Sequence, residues 1–211
     1  MPRRSTDPSG PPERVHSPPA NLSTRSLPLR GFAGTTLYRG HPAHLGPIHF
    51  NRVAGRFAPP AEEFGTVYLG ESDYGAFLEA FGQEVAPSDV GPIVSEARLQ
   101  ASCLCPVLPN APLRLVDVTN GAALNQIMPG LDNRIGDGPH TVSQAWALAF
   151  WNHPSQPDGV YYRSRRAPEL HSLAIFGRPE LSFTTDCGAN LLRDPERLGA
   201  ILDYFRFALI P

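Results

Sequence analysis

Five side chains are of types that could do chemistry on an anionic group: Arg39, Arg56, Tyr68, Glu79 and Ser164. Glu79 stands between Leu78 and Ala80 in a segment whose apolar residues Tyr74, Phe77, Leu78 and Phe81 fall at helical spacing. A carboxylate held in such a helix can face positive charge that develops in a transition state. Its ordinary alternative is a surface glutamate, the common fate of that residue type. The planar fork of arginine matches phosphate-type oxygens, which suits Arg39 to an anionic group. Arg56, in GRF after a turn, could join the same site or simply pin the turn. Tyr68 offers an aromatic face and a hydroxyl from a strand, where most tyrosines only pack. Ser164 ends the run YYRS with Arg163, Arg165 and Arg166 around it, a cluster that reads equally as an anion site or a solvated strand end. No base partner is implied for Ser164, so it is a positioning hydroxyl rather than an activated nucleophile.

The elements that must hold these residues are legible in outline. GTVYL at 65–69 is a β-branched and aromatic run, and Ser72 is a plausible N-cap for a helix over Asp73 to Phe81. His49–Phe50 and the turn-rich run 54–60 suggest a hairpin or loop. Strands are expected at 101–108, 113–118, 159–164 and 171–176, and a short helix at 121–127. An apolar helix should run from Thr141, as its cap, to Trp151. Pro195 to Phe205 places Leu198, Ile201, Leu202 and Phe205 on one helical face. Strands interspersed with a few helices, without βαβ alternation, indicate an α+β fold. Residues 1–30, rich in Pro, Ser and Arg and lacking aromatics, read as a flexible tail, and residues 31–211 as one folded domain beginning near Thr35–Tyr38.

Composition removes several chemistries. All 18 basic residues are arginine, so a Schiff-base lysine, a P-loop lysine and a lysine base are excluded. A net charge of -2 shows no basic field for nucleic acid. Neither G-x-G-x-x-G, H-E-x-x-H nor G-x-S-x-G occurs. Cys103, Cys105 and Cys187 are too few for a disulfide framework, and the C-x-C pair lacks a second pair to complete a zinc site. Buried thiols acting as small hydrophobes, and no metal ligands, are therefore expected. His41 and His44 lack further ligands nearby in sequence, and the remaining histidines are scattered. Without a long apolar stretch or a signal-peptide apolar core, the expected location is the cytoplasm, with no membrane partner.

Four ordered segments resemble the RES-domain family: LYRGHP at 37–42; HFNRVAGRFAPP at 49–60 leading into TVYLGESDYGAFLEAF at 66–81; LRLVDVTN at 113–120 with HTVSQAWALAFWNHP at 140–154; and DGVYYRSRRAPELHSLAIFGR at 158–178. The family's arginine, glutamate and serine match Arg39, Glu79 and Ser164, and its strand tyrosine matches Tyr68. Gly40 departs from relatives that carry an aromatic residue after the arginine.

The resemblance implies an ADP-ribosyltransferase-like mixed sheet with flanking helices, and a cleft that cleaves the nicotinamide–ribose bond of NAD⁺. Inorganic phosphate is the expected co-substrate, no cofactor is tightly bound, and a cognate antitoxin protein is the expected partner. Self-association stays open. On this view Glu79 faces the oxocarbenium-like ribose, Arg39 holds the diphosphate or the nicotinamide ribose beside it, Arg56 could contribute to the same anionic site, Tyr68 contacts nicotinamide and ribose, and Ser164 positions ribose or phosphate. Transfer of ADP-ribose to a protein is the alternative reaction. A binding module with a degenerate pocket is the alternative class, and Gly40 is its main support. A ribonuclease ranks last, for want of a basic field and a histidine pair.

Overall fold

The computed structural model describes residues 17–82, 91–128, 134–187 and 191–211, and among these described residues ten strands and six α-helices form. The strands are β1 (Leu29–Phe32), β2 (Leu37–Pro42), β3 (Thr66–Gly70), β4 (Ile93–Ser95), β5 (Ser102–Pro109), β6 (Leu113–Asp117), β7 (Gly159–Arg163), β8 (His171–Phe176), β9 (Phe183–Thr185) and β10 (Ala208–Ile210). The helices are α1 (Asp73–Phe81), α2 (Glu96–Gln100), α3 (Gly121–Leu124), α4 (Arg134–Asp137), α5 (His140–Trp151) and α6 (Pro195–Phe205). Eight strands make one mixed sheet in the order β1-β6-β7-β8-β3-β2-β5-β9, antiparallel except for β6 beside β7. β4 and β10 form a separate parallel pair.

Strand alternation divides the sheet into two faces. Leu37, Val67, Leu69, Leu115, Tyr161, Leu173 and Ile175 pack together on one. The other face carries the helices, in two separate cores. α1, α6 and Phe207 enclose Phe77, Phe81, Leu198 and Ile201. α5 lays Trp146, Ala147 and Phe150 over Val116, Val160, Ala174 and Phe176.

α1 starts where the sequence places it, because the Ser72 hydroxyl accepts from the Gly75 amide at 3.1 Å. Its seating on the sheet depends on two glycines. A Cβ at Gly40 would stand 2.6 Å from the Ala80 Cβ, and one at Gly70 would stand 2.6 Å from the Ala76 amide nitrogen. Gly40 is thus a contact between β2 and α1, and an aromatic side chain could not occupy that space.

Three expectations need correction. β1 begins at Leu29, and Leu22 and Leu27 are buried, so the described end of the supposed tail belongs to the fold; residues 1–16 lie outside the described residues. Leu22 and Arg25 are tied down because both of their carbonyls lie 3.2 Å from His153 Nε2. α5 begins at His140 with Pro139 in the cap position and no side-chain cap, so Thr141 lies inside the first turn. Cys105 and Cys187 are joined in a disulfide rather than packed as thiols, since β5 and the segment after β9 come together across 82 residues of chain.

Candidate active site

The two helical cores part above β3, β8 and β7, and a cleft of about 590 Å³ opens between them. That size suits a small organic ligand. Tyr68 from β3 and Tyr162 from β7 rise from its floor, Leu78 and Glu79 of α1 form one wall, and Arg56 and His140 form the opposite one. Ser164, Arg165 and Arg166, immediately after β7, complete it.

Local chemistry fixes each group. The Tyr68 hydroxyl accepts from the Phe57 amide at 2.9 Å. Gly55, at φ +128°, lies so close to that hydroxyl that any Cβ would collide with it. Arg56 donates to the Gly138 carbonyl at 2.7 Å, which ties the 54–58 loop to the start of α5 while its charge faces the cleft. Arg56 thus fixes its turn and also lines the cleft. Ser164 is buried, and its amide donates to the Leu170 carbonyl at 2.8 Å, so the turn after β7 is closed by backbone.

Electrostatics set Glu79 apart. Burial pushes its carboxyl above the usual range, while the Tyr162 hydroxyl, Arg56 and Arg166 pull it back toward the charged form. Burial also raises the Tyr68 and Tyr162 hydroxyls, and the Glu79 charge adds to both shifts. His140 is lowered first by burial and then by Arg56 and Arg165, the mark of a positive rim. The Tyr162 hydroxyl, close to Glu79 and Ser172, and the Ser172 hydroxyl on the neighbouring strand are buried with no hydrogen bond of good geometry. Tyr162 and Ser172 are directly opposed across β7 and β8, so both lie on the cleft face. Unsatisfied buried hydroxyls cost stability, and such a cost is concentrated at functional sites.

Of the five residues expected from sequence, Glu79, Tyr68, Arg56 and Ser164 converge on this cleft; Arg39 is not among the residues lining it. β2 and β3 pair only at Tyr38↔Gly70 and then part. The Arg39 guanidinium crosses that parting to the Tyr68 and His49 carbonyls, at 3.4 Å each. Its Nε is buried without a partner, and burial lowers the group to about 10, which leaves it charged at neutral pH. Arg163 turns away to the Pro168 carbonyl.

Sequence reasoning missed Tyr162 and His140. Strand alternation held the signal for Tyr162: two residues before Ser164, it must share that residue's face. Nothing local marks His140, whose role follows from the helix start being brought to the cleft.

A family model described as the RES domain matches residues 35–190. The chain is 29% identical over 114 residues to a probable toxin, y4kH, of Sinorhizobium fredii (strain NBRC 101917 / NGR234), covering 54% of this chain and 87% of that protein. Among solved structures it is similar to a chain of the M. tuberculosis MbcT–MbcA toxin–antitoxin complex. That match has a TM-score of 0.58 at 20% identity and covers 85% of this chain and 98% of the other. At that identity the two share a fold.

Proposed function

Because the chain belongs to the RES-domain family, we propose that it is the toxin of a toxin–antitoxin pair whose cleft breaks the nicotinamide–ribose bond of NAD⁺, with inorganic phosphate as acceptor. One observation carries this reading: a deeply set carboxylate, Glu79, is held among Tyr68, Tyr162, Arg56 and Arg166 in a cleft of ligand size. When the glycosidic bond breaks, its electron pair goes to the nicotinamide nitrogen, which leaves neutral. Positive charge then spreads over the ribose, and a phosphate oxygen bonds to the same carbon. An ionised Glu79 stabilises that charge more than it stabilises bound substrate, which is what lowers the barrier.

The remaining groups divide the anionic work. Arg56, anchored at the base of α5, and the exposed Arg165 and Arg166 form the positive side that takes diphosphate and incoming phosphate. Tyr68 gives a ring against nicotinamide, and Ser164 a hydroxyl against ribose or phosphate. Arg39 is a positioning residue, because it holds the parted β2 and β3 through backbone carbonyls.

Nicotinamide release from NAD⁺, followed with and without phosphate and with Glu79→Ala alongside, tests the proposal. Release that needs both phosphate and Glu79, with ADP-ribose-1″-phosphate as product, is the expected result. Phosphate-independent release would move the acceptor to water or a protein side chain. Equal inertness of wild type and variant would sink the enzymatic reading. For the partner, the likeness to a toxin–antitoxin complex is the support. Co-expression with a neighbouring reading frame should rescue growth; failure of every neighbour to do so would overturn the pairing.

A further inference from the structure

Away from the cleft, on the opposite face of the sheet, three potential metal ligands meet. His41 on β2, Cys105 on β5 and Cys187 after β9 place their ligand atoms within 4.8 Å of one another. His41 Nε2 lies 3.2 Å from Cys105 Sγ and 3.7 Å from Cys187 Sγ. His41 Nδ1 lies 2.9 Å from the Pro42 carbonyl, which can only accept, so Nδ1 carries the ring proton. Nε2 therefore presents a bare lone pair to the two sulfurs. While those sulfurs are bonded to each other neither has a proton to offer it, and a buried acceptor faces no donor there.

A backbone carbonyl fixing one ring nitrogen while the other faces thiol sulfur is the arrangement that orients a metal-bound histidine. We propose that in the reduced protein His41, Cys105 and Cys187 bind a zinc ion, so that the disulfide and the metal are alternative clips at one site. A tetrahedral ion with ordinary zinc–sulfur and zinc–nitrogen bonds holds N and S about 3.6 Å apart. The two N···S distances already bracket that value, so only the sulfurs must separate. Two thiolates and an imidazole select zinc over calcium or magnesium. Cys187 is partly exposed, which leaves solvent access for a water as fourth ligand.

The exchange balances. A dithiol reductant gives two electrons and two protons to the Cys105–Cys187 bond and itself closes to a disulfide. Zinc then displaces the two thiol protons to solvent. The disulfide ties β5 to the segment after β9, and the metal would tie in β2 as well, next to Arg39, which is directly opposed to Cys105.

The test is titration of the reduced, chelator-treated full chain with Co²⁺ and then Zn²⁺, reading thiolate-to-cobalt charge-transfer absorption and its loss on zinc exchange. One ion per chain is expected for wild type and for Cys103→Ser, with the absorption lost in Cys187→Ser and His41→Ala. The melting temperature of the reduced wild type should rise with zinc. Cys187 is near the surface, so Cys187→Ser tests the site without opening a cavity, and circular dichroism verifies its fold. No charge-transfer band in reduced wild type, or equal binding by Cys187→Ser, overturns the proposal. So does loss of binding in Cys103→Ser. The readout is independent of NAD⁺ turnover, so failure of this inference and failure of the proposed reaction are distinguishable.

Discussion

Tyr161 and Tyr162 are neighbours on β7, point to opposite faces of the sheet, and each stands beside a glutamate and arginine. Tyr161 donates to Glu71 at 3.0 Å, stacks on His171 with centroids 5.0 Å apart, and is covered by Arg30 at 4.4 Å. His171 and Arg30 close the ring around Glu71, at 3.5 and 4.0 Å. Every group there has a partner. Tyr162, by contrast, has a buried hydroxyl with no hydrogen bond of good geometry and a desolvated Glu79 beside it. The same residue types make a closed structural cluster on one face and an open, costly one on the other. Complete satisfaction stabilises the fold, whereas incomplete satisfaction leaves capacity for a ligand.

The sharpest way to break this contrast is Glu79→Gln. Nicotinamide release should fall by about 10²–10³-fold, the scale of one preorganised electrostatic group. Melting temperature should rise, because removing a desolvated charge relieves a cost of roughly 0.5–2 kcal/mol. The sign follows from the raised carboxyl: protonation favours the fold, so that contribution is present at low pH and is lost as pH rises through the folded value. The stability advantage of Gln therefore grows from acid to neutral pH. The proposed reaction needs the ionised form, so kcat/KM of the wild type should fall on the acid side, with a midpoint above the ordinary carboxylate range. A Glu79→Gln protein less stable than wild type at neutral pH would contradict the contrast.

Gly40→Ala comes next. Overpacking against Ala80 should cost about 1–3 kcal/mol by thermal melts and, by displacing α1, lower turnover as well. The tyrosine pair then separates the two faces. Tyr162→Phe should leave stability within about 1 kcal/mol of wild type and reduce kcat roughly tenfold, the loss of one hydrogen bond to a bound ligand. Tyr161→Phe should do the reverse, costing about 1 kcal/mol in denaturant unfolding with turnover unchanged. Arg30→Gln should have the smallest effect, a loss of about 0.5–1 kcal/mol from its cation–π contact, again without change in turnover.

Local patterns carried much of the fold. Ser72 and the apolar spacing behind it specify α1, and its bounds agree with the structure because a cap and a helical stripe are both short-range signals. GTVYL and HSLAIF likewise form β3 and β8. β1 was illegible: Leu29–Phe32 has little strand character and exists because β6 offers it an edge. The short β4 and β10 depend on each other in the same way.

By itself the sequence determined an α+β domain without lysine chemistry, a helix bearing Glu79 directly behind a strand bearing Tyr68, and a cationic turn around Ser164. Those depend on periodicity, capping and composition, all encoded within a dozen residues. Tertiary structure alone decided that Arg56 would line one cleft with Glu79, that Arg39 would bridge backbone carbonyls where β2 and β3 part, that the Tyr162 hydroxyl would be buried beneath the cleft without a well-aligned hydrogen bond, and that His41 would meet Cys105 and Cys187. Each of these needs strands or loops far apart in the chain to be brought into register, and the packing that does so is settled by the whole core at once.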